Sequence, residues 1–362
     1  MKIEHLESHH YLIPLPETLT DSTHGEMTHF AVVIVRLLTD EGAEGIGYTY
    51  TVGSMGGSAI HAMAQNDLAP FLISKNPDQI EKLWDEMWWH MHYVGRGGIV
   101  SFAMAAIDIA LWDLQAKLAG EPLWQHLGGT DNQVKAYAGG IDLLLPLDEL
   151  REQTRRNLDK GFRAIKMKVG RQNISEDVER VAAMRELLGP DIPLMVDANM
   201  CWSVDQAIEA SHAFAEHDVY WLEEPTIPDD MEGHARIQRE GALPVASGEN
   251  LHTVYEFEKL LAAGGAAFPE PDVANCGGIT PWLKIARLAE SRGLPVTTHG
   301  AHDLQVHLLA AIPNSSYLEA HGFGLDACIQ HPLEIKEGFA SAPSRPGHGV
   351  EFIWEALEAL RM

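Results

Sequence analysis

The sequence predicts an α/β protein in which a parallel β/α barrel follows an N-terminal α+β unit. From about residue 134 onward, eight short apolar runs occur, and amphipathic helical segments lie between most of them. Most runs end in a polar residue, 20 to 29 positions after the previous one: Lys168, Asp197, Glu223, Glu249, Asp272, His299 and Glu319. A strand–helix period of about 25 residues is typical of a barrel with its active site at the carboxyl ends of the strands.

An open, doubly wound parallel sheet has the same alternation and is the competing fold. No glycine-rich G-x-G-x-x-G pattern follows any of the eight runs. Barrels take active-site residues from the ends of several strands, and nearly every run here ends in such a residue. These two points favour the barrel.

The N-terminal part of the chain has the pattern of an α+β unit. The β-branched run 30–38 ends at a hairpin signal, Thr39-Asp40-Glu41-Gly42, and a second strand follows it. Three segments then show helical spacing of apolar residues: 58–73, 78–93 and about 101–119. Gly120 and Pro122 end the last helix.

Composition excludes several classes of protein. The 362 residues include 52 acidic and 26 basic side chains, a formal charge of −26. Such a field repels nucleic acid and anionic membranes, so we expect neither as a partner. Three cysteines without a C-x-x-C pair argue against a disulfide framework or a thiolate zinc site. With no signal peptide and no apolar run near 18 residues, we expect a cytoplasmic protein.

Two lysines on one predicted strand suggest a catalytic base. Lys166 and Lys168 share a face of the run 162–170, while Met167 lies on the other face. Two ammonium groups so close repel each other, which we expect to lower the pKa of at least one of them. A lysine with a lowered pKa serves as a base near neutral pH. Solvated lysines on an edge strand are the alternative.

Three acids close consecutive runs and suggest a metal site. Asp197, Glu223 and Glu249 would project from the same end of a barrel, where their mutual repulsion is costly without a cation. Mg²⁺ prefers carboxylate and water oxygens in octahedral geometry. Each acid alone is more often an ion-pair or helix-capping residue, but three at consecutive strand ends favour a metal. Glu224 has the opposite parity and is expected to support this site or to pack.

The opposite side of the barrel mouth carries a histidine with a carboxylate one strand earlier. We expect Asp272 to hold the imidazole of His299 in one tautomer and to raise its basicity. Glu319 closes the next run and could hydrogen-bond a charged intermediate. A purely structural histidine is the alternative.

In this order, the motifs resemble those of the enolase superfamily, mandelate racemase subgroup. The matching motifs are K-M-K (166–168), D-A-N (197–199), E-E-P (223–225), G-E-N (248–250), the Asp272/His299 pair and Glu319. The segment 105–129 is similar to the helix that leads into the barrel in this family. Within the subgroup, segments 21–30, 47–51, 90–99 and 140–143 resemble acid-sugar lyases and cycloisomerases.

The resemblance implies a role for each residue. Asp197, Glu223 and Glu249 would bind one Mg²⁺ per subunit. Lys168 would be one acid/base with Lys166 beside it, and His299, oriented by Asp272, would be the other. Glu319 would hydrogen-bond the enediolate oxygen, and Asn199 would make a polar contact near the metal.

The resemblance also implies a modified TIM barrel, (β/α)7β, with an α+β capping domain. We place the cap at 1–125, the barrel at 126–335 and a C-terminal segment that packs back on the cap at 336–362. Cap loops at about 15–30 and 48–57 would close the site. A homo-oligomer is expected, because many relatives are oligomers.

The chemistry implied is removal of the proton α to a carboxylate, followed by β-elimination from an acid sugar. Elimination is favoured because the cap is rich in polar residues, which suit a sugar: His24, His29, Tyr48, Tyr50, His90 and His92. Of these, His24 and Tyr50 are expected to bind the substrate. The alternative is a racemase or epimerase of a 2-hydroxy acid by two-base reprotonation. A non-catalytic binding protein would have lost a ligand or base. A metal hydrolase would need a histidine-rich ligand set at the first barrel strand.

Overall fold

A three-stranded antiparallel sheet begins the chain in the computed structural model, which describes residues 1–321 and 323–362. The strands are β1 (Ile3–Asp21), β2 (Gly25–Thr39) and β3 (Glu44–Val52), in that order across the sheet. The predicted hairpin lies between β2 and β3. The sequence patterns did not identify β1, because two prolines interrupt its alternation and its register shifts between Pro14 and Leu19.

Helices cover one face of this sheet and lead to the barrel. They are α1 (Gly57–Ala62), a π-helical turn (Met63–Leu68), α2 (Ala69–Leu72), α3 (Ile80–His90), α4 (Ile99–Ala119) and α5 (Leu123–His126). Helix α4 packs on β3 at Gly47, where a Cβ atom would collide with the backbone oxygen of Ala106. The glycine therefore permits the close approach of helix and strand.

By length and composition, α4 is apolar enough to cross a membrane, although we expected no apolar segment of that length. Most of its residues are buried against the cap sheet and neighbouring helices. The core helix of a soluble protein has the same properties, so α4 is weak support for a membrane span.

Parallel strands alternate with helices from residue 133 and form the barrel. The strands are β4 (Gln133–Gly139), β5 (Ile165–Lys168), β6 (Leu194–Asp197), β7 (Val219–Glu223), β8 (Val245–Ser247), β9 (Phe268–Pro269) and β10 (Leu318–Ala320). The helices are α6 (Leu147–Asp159), α7 (Ile174–Leu188), α8 (Val204–Ala215), α9 (Met231–Glu240), α10 (Val254–Ala263), α11 (Ile279–Glu290) and α12 (His302–Ala310).

The barrel closes where β10 pairs with β4 in parallel. Between β9 and β10, the expected strand 294–300 is reduced to a single bridge from Val296 to Ser315. The Thr297 N–H still donates to the Pro269 oxygen, which keeps this segment in the barrel wall. Seven strand–helix pairs followed by one strand match the predicted (β/α)7β order.

Strand register brings the polar residues together. Lys168 pairs with Asp197, and Asp197 pairs with Glu223, so the three stand side by side at the same end of the sheet. Parallel strands of equal register place successive carboxyl ends on one rim. The rim is where the site forms.

The C-terminal residues contact both parts of the molecule. Strands β11 (Ile335–Lys336) and β12 (Phe339–Ser341) form a hairpin whose second strand pairs antiparallel with β4. A 3-10 turn (Leu325–Cys328) precedes them and α13 (Trp354–Glu358) follows. At the end of the chain, the Met362 N–H donates to the His10 oxygen of β1.

A buried carboxylate joins the cap to the barrel. Asp108 on α4 accepts hydrogen bonds from the Thr280 N–H at 2.8 Å and the Thr280 hydroxyl at 2.7 Å, at the start of α11. Trp112 on the same helix donates to that hydroxyl at 3.0 Å. Burial raises the pKa of Asp108 to about 7, although the bonds from Thr280 oppose the shift.

Replacing this acid tests the junction. Because its folded-state pKa is raised, Asp108 stabilises the fold at low pH, and this contribution is lost as pH rises through about 7. The side chain of Asp108→Asn cannot ionise, so the variant does not lose this contribution. Between about pH 4 and about pH 8, the unfolding free energy of the variant should therefore rise by a few kcal/mol relative to that of the wild type. Urea unfolding at several pH values measures this difference. Asp159→Asn, at an exposed site, is the control, and a pH-independent difference for Asp108→Asn would contradict the assignment.

Candidate active site

Three buried carboxylates gather at the barrel rim. Asp197 ends β6, Glu223 ends β7, and Glu249 follows β8 by two residues. One carboxylate oxygen from each lies within 4.8 Å of the other two. Asp197 and Glu223 are fully buried and Glu249 is 8 % exposed. The predicted set of three therefore meets, and its all-oxygen chemistry fits Mg²⁺.

Burial makes this cluster costly without a cation. Burial raises the pKa of Glu249 to about 7, with repulsion from Asp197 and Glu224 adding to it and His299 opposing it. Burial and the neighbouring carboxylates also raise the pKa of Glu223 well above its usual range, against the pull of Lys166. The three groups cannot all hold a negative charge near neutral pH unless positive charge is supplied.

Both lysines supply such charge in this structure. Lys168 Nζ forms an ion pair with Asp197. Lys166 Nζ pairs with Glu223, lies 2.8 Å from Glu319 and lies 3.5 Å from Asp197. Each lysine thus lies among carboxylates rather than in solvent.

The expected lowering of a lysine pKa is wrong for both lysines. Burial is the largest single influence on Lys168 and lowers its pKa. Attraction to the carboxylates, Asp197 first, together outweighs burial and the repulsion from Lys166, so the net shift is upward. The pKa of Lys166 is likewise raised, because Glu223 and Glu319 outweigh burial. A divalent cation held by these carboxylates would weaken this attraction and so favour the neutral amine of Lys168.

The predicted histidine–carboxylate pair forms on the other side of the rim. His299 Nδ1 lies 3.0 Å from an Asp272 oxygen, and its Nε2 lies 3.2 Å from Glu249. The Tyr50 hydroxyl donates to the same Asp272 oxygen. Burial lowers the pKa of His299, but Glu249, Glu319 and Asp272 together raise it to about 10.

Glu319 connects the two halves of the site. One of its oxygens accepts from the Gly300 N–H at 2.9 Å, and the other faces Lys166. Burial raises the pKa of Glu319, but Lys166 and His299 outweigh it and the net shift is downward. Glu319 is therefore ionised here and accepts hydrogen bonds.

The tip of the cap hairpin rests on the rim that carries the three carboxylates. The Ser22 hydroxyl donates to the Ala198 oxygen at 2.7 Å, and the Thr23 hydroxyl donates to the Asn199 oxygen. Beside them, His24 Nδ1 lies 2.8 Å from Asp21. The cap segments 15–30 and 48–57, expected as loops, are mostly the ends of β1, β2 and β3.

All three predicted substrate-binding residues, His24, Tyr50 and Asn199, have protein partners. The Asn199 N–H donates to Asp197 at 2.9 Å, so its backbone orients a carboxylate of the cluster. The Tyr50 hydroxyl is engaged by Asp272. The ring of His24 is partly exposed at the hairpin tip.

Other polar residues of the cap do not join the site. His90 stacks on Phe71, and His92 lies on an exposed surface. The Tyr48 hydroxyl is buried and faces the region of Asp303 instead. The crowding of polar groups that favoured elimination over racemisation is therefore smaller than the sequence suggested.

The sequence reasoning missed Glu270. This residue follows β9, is fully buried, and neither of its oxygens has a hydrogen-bond partner among the described residues. Burial and then repulsion from Glu223 raise its pKa well above the usual range. Its parity with Asp272 was the available signal, because positions two apart on a strand share a face.

Two sequence profiles match most of the chain. The mandelate racemase/muconate lactonizing enzyme N-terminal domain matches residues 14–128. The enolase C-terminal domain-like profile matches residues 149–356. The chain belongs to the mandelate racemase subgroup of the enolase superfamily.

Relatives in this family match most or nearly all of the chain. The 3,6-anhydro-alpha-L-galactonate cycloisomerase of Streptomyces coelicolor is 53% identical, over 99% of both chains. The L-talarate/galactarate dehydratase of Salmonella typhimurium is 37% identical, over 89% of this chain and 81% of the relative.

Solved structures share the fold. A racemase from Streptomyces coelicolor A3(2) with bound magnesium has a TM-score of 0.97 and 52% identity, over 99% of this chain and 100% of that one. L-talarate dehydratase from Polaromonas sp. JS666, complexed with Mg and L-glucarate, has a TM-score of 0.94 and 35% identity, over 100% of this chain and 97% of that one. The predicted fold class is confirmed, and Mg²⁺ is confirmed as a cofactor at the level of the family.

Removing one carboxylate should weaken the binding of magnesium. Glu249→Gln keeps the shape of the side chain but removes a charge from the cluster, so we expect the Kd for Mg²⁺ to rise at least about tenfold. Isothermal titration calorimetry measures it. Glu258→Gln, which removes an equal charge from the exposed face of α10, is the control. An unchanged Mg²⁺ titration in Glu249→Gln would remove this residue from the ligand set.

Proposed function

We propose that the protein is a Mg²⁺-dependent cycloisomerase of an anhydro sugar acid. The observation that carries this proposal is the placement of two acid/base groups at opposite ends of one carboxylate row. Lys168 contacts Asp197 at one end, and His299 contacts Glu249 at the other. A substrate held over the row would therefore meet one group on each side. The 53% identical cycloisomerase supports the choice of substrate.

Asp197, Glu223 and Glu249 would hold the ion. When bound, Mg²⁺ stabilises negative charge that develops on the carboxylate oxygens of the substrate. Lys166, which lies 2.8 Å from Glu319, would donate a hydrogen bond to the same oxygens. Glu319 would do so only after taking up a proton, because its ionised form can only accept. Groups already fixed by the fold need no reorganisation as the charge develops.

Lys168 would remove the proton from the carbon α to the carboxylate. The electron pair of that C–H bond would form the new double bond, and the C–O bond of the ring ether at the β carbon would break. His299, held by Asp272, would give its proton to the leaving oxygen. The resulting enol becomes a 2-keto-3-deoxy acid, and no water is lost because the leaving oxygen stays attached through the opened ring.

Two related outcomes use the same residues. If the β carbon carries a hydroxyl, the same steps expel water, as the names of the dehydratase relatives imply for those proteins. If nothing leaves, His299 can return a proton to the α carbon from the opposite side. A racemase is the second candidate, because a neighbour at 52% identity carries that description.

We also propose a domain division, a cellular location and a class of binding partner. We divide the chain into a cap, 1–125, a barrel, 126–335, and a C-terminal segment, 336–362. Separate profile matches to residues 14–128 and 149–356 and the contact of Met362 with β1 support this division. Three free cysteines support a cytoplasmic location. The charge of −26 supports a small-molecule substrate rather than nucleic acid or a membrane.

A homo-oligomer is proposed as the quaternary state. Large apolar side chains are exposed near the end of α3 and on α10: Trp89, Tyr93, Val94 and Tyr255. Tyr93 is the most exposed of the four, at 92 %. Large exposed apolar side chains of this kind support a contact with another subunit.

Loss of the base should stop proton exchange. In Lys168→Ala we expect exchange of the α proton of 3,6-anhydrogalactonate with D₂O to fall at least about 100-fold, because general base catalysis contributes on that order. Proton NMR measures the exchange. The Kd for Mg²⁺ should remain measurable, and Lys160→Ala, an exposed lysine, is the control. Retained exchange in Lys168→Ala would reject this residue as the base.

The products formed in D₂O should identify the reaction. With 3,6-anhydrogalactonate we expect a 2-keto-3-deoxy acid of the same composition as the substrate, apart from deuterium. Mass spectrometry and NMR on a panel of acid sugars measure this. Loss of water from a preferred substrate would indicate a dehydratase, and a deuterated epimer without a ketone would indicate a racemase. Either result would contradict the cycloisomerase.

A further inference from the structure

We propose that His302, Asp303 and Asp326 form a second cation site, which binds a divalent transition-metal ion such as Zn²⁺. None of these residues belongs to the Asp197, Glu223 and Glu249 cluster. His302 and Asp303 begin α12, just after His299, and Asp326 lies in the 3-10 turn Leu325–Cys328. The site would therefore join the segment that carries His299 to the loop after the last barrel strand.

The spacing of the three side chains suits a metal. One ligand atom from each lies within 4.8 Å of the other two. His302 Nε2 is 3.4 Å from an Asp303 oxygen and 3.7 Å from an Asp326 oxygen. Ligands about 2.0–2.1 Å from a tetrahedral Zn²⁺ lie about 3.4 Å apart, so only small shifts would complete the site.

The imidazole lacks the partners that a buried histidine normally has. His302 is 6 % exposed, and neither ring nitrogen has a hydrogen-bond partner among the described residues. A protonated imidazole between two carboxylates would be expected to donate hydrogen bonds, but both separations exceed the usual 2.7–3.2 Å range. Leaving a buried polar group without a hydrogen bond is unfavourable, and a bound ion would relieve that penalty.

A second unpartnered group points to the same place. The Tyr48 hydroxyl of the cap is buried and has no hydrogen-bond partner in the described chain. Tyr48, His302 and Asp303 line one small cavity of about 10 Å³. That volume is about the minimum for one water-sized particle. The cavity thus has room for an ion or a water, and polar groups that would contact it.

The site also has a route from solvent. His302 and Asp326 line a larger cavity of about 830 Å³, which extends along β4, α6 and the segment 333–335. Asp326 has a half-exposed side chain. An ion could enter from this side without passing the rim where Asp197 lies.

The ligand types select the class of cation. Imidazole is a good ligand for zinc and other first-row transition metals, whereas Mg²⁺ is bound mainly by oxygen. Two carboxylates balance the charge of a divalent ion. The three ligand candidates at the rim are all carboxylates, with no histidine among them. The two sites should therefore prefer different metal ions.

Metal counting tests the proposal. The metal-free protein is saturated with Mg²⁺ and then dialysed against Zn²⁺, and both metals are measured by elemental analysis. We expect two cation equivalents per chain in the wild type. Asp326→Asn and His302→Gln should each bind the second equivalent at least about tenfold more weakly. Glu334→Gln, which lines the same larger cavity and removes an equal charge, should bind both.

A crossed comparison separates this site from the proposed active site. Glu249→Gln should weaken the first equivalent and retain the second, whereas Asp326→Asn should do the reverse. Cobalt absorption in the visible region should show a low-coordinate imidazole site in the wild type that is lost in His302→Gln. One equivalent in the wild type, or a second equivalent that both variants retain, would overturn the proposal and leave the assignment of the rim unaffected.

Discussion

Repulsion among three buried carboxylates is the constraint on which the rest of the site depends. Parallel strands in register bring Asp197 and Glu223 side by side, and Glu249 follows on the next strand. Burial then makes their charges expensive, so positive groups must gather around them. In this structure Lys166 and Lys168 do so from one side and His299 from the other. The arrangement that balances charge is therefore also the one that would place the two proposed acid/base groups, Lys168 and His299, on either side of a substrate.

Much of this could be read from the sequence, for a physical reason. A barrel repeats one unit, so a period near 25 residues fixes both the fold and the end of each strand at which polar residues collect. The members of the carboxylate cluster and the Asp272–His299 pair followed from that period alone. The resemblance to the family added their roles.

What the sequence could not show depends on contacts between distant segments. The pKa of Lys168 follows from the balance between its neighbours, and the repulsion from Lys166 is weaker than the pull of Asp197. Tyr50 was expected to meet substrate, yet its hydroxyl binds Asp272, 222 positions away. Strand β1 escaped notice because proline breaks its alternation. Each case requires knowledge of packing, which local patterns do not contain.

The hairpin tip that rests on the rim has a consequence for substitutions beneath it. The hydroxyls of Ser22 and Thr23 donate hydrogen bonds to main-chain oxygens of Ala198 and Asn199, atoms that every amino acid possesses. These hydrogen bonds therefore do not depend on which side chains stand at 198 and 199. These contacts therefore survive substitution of the side chains at 198 and 199, so the hairpin tip can keep its place on the rim while the residues around it change.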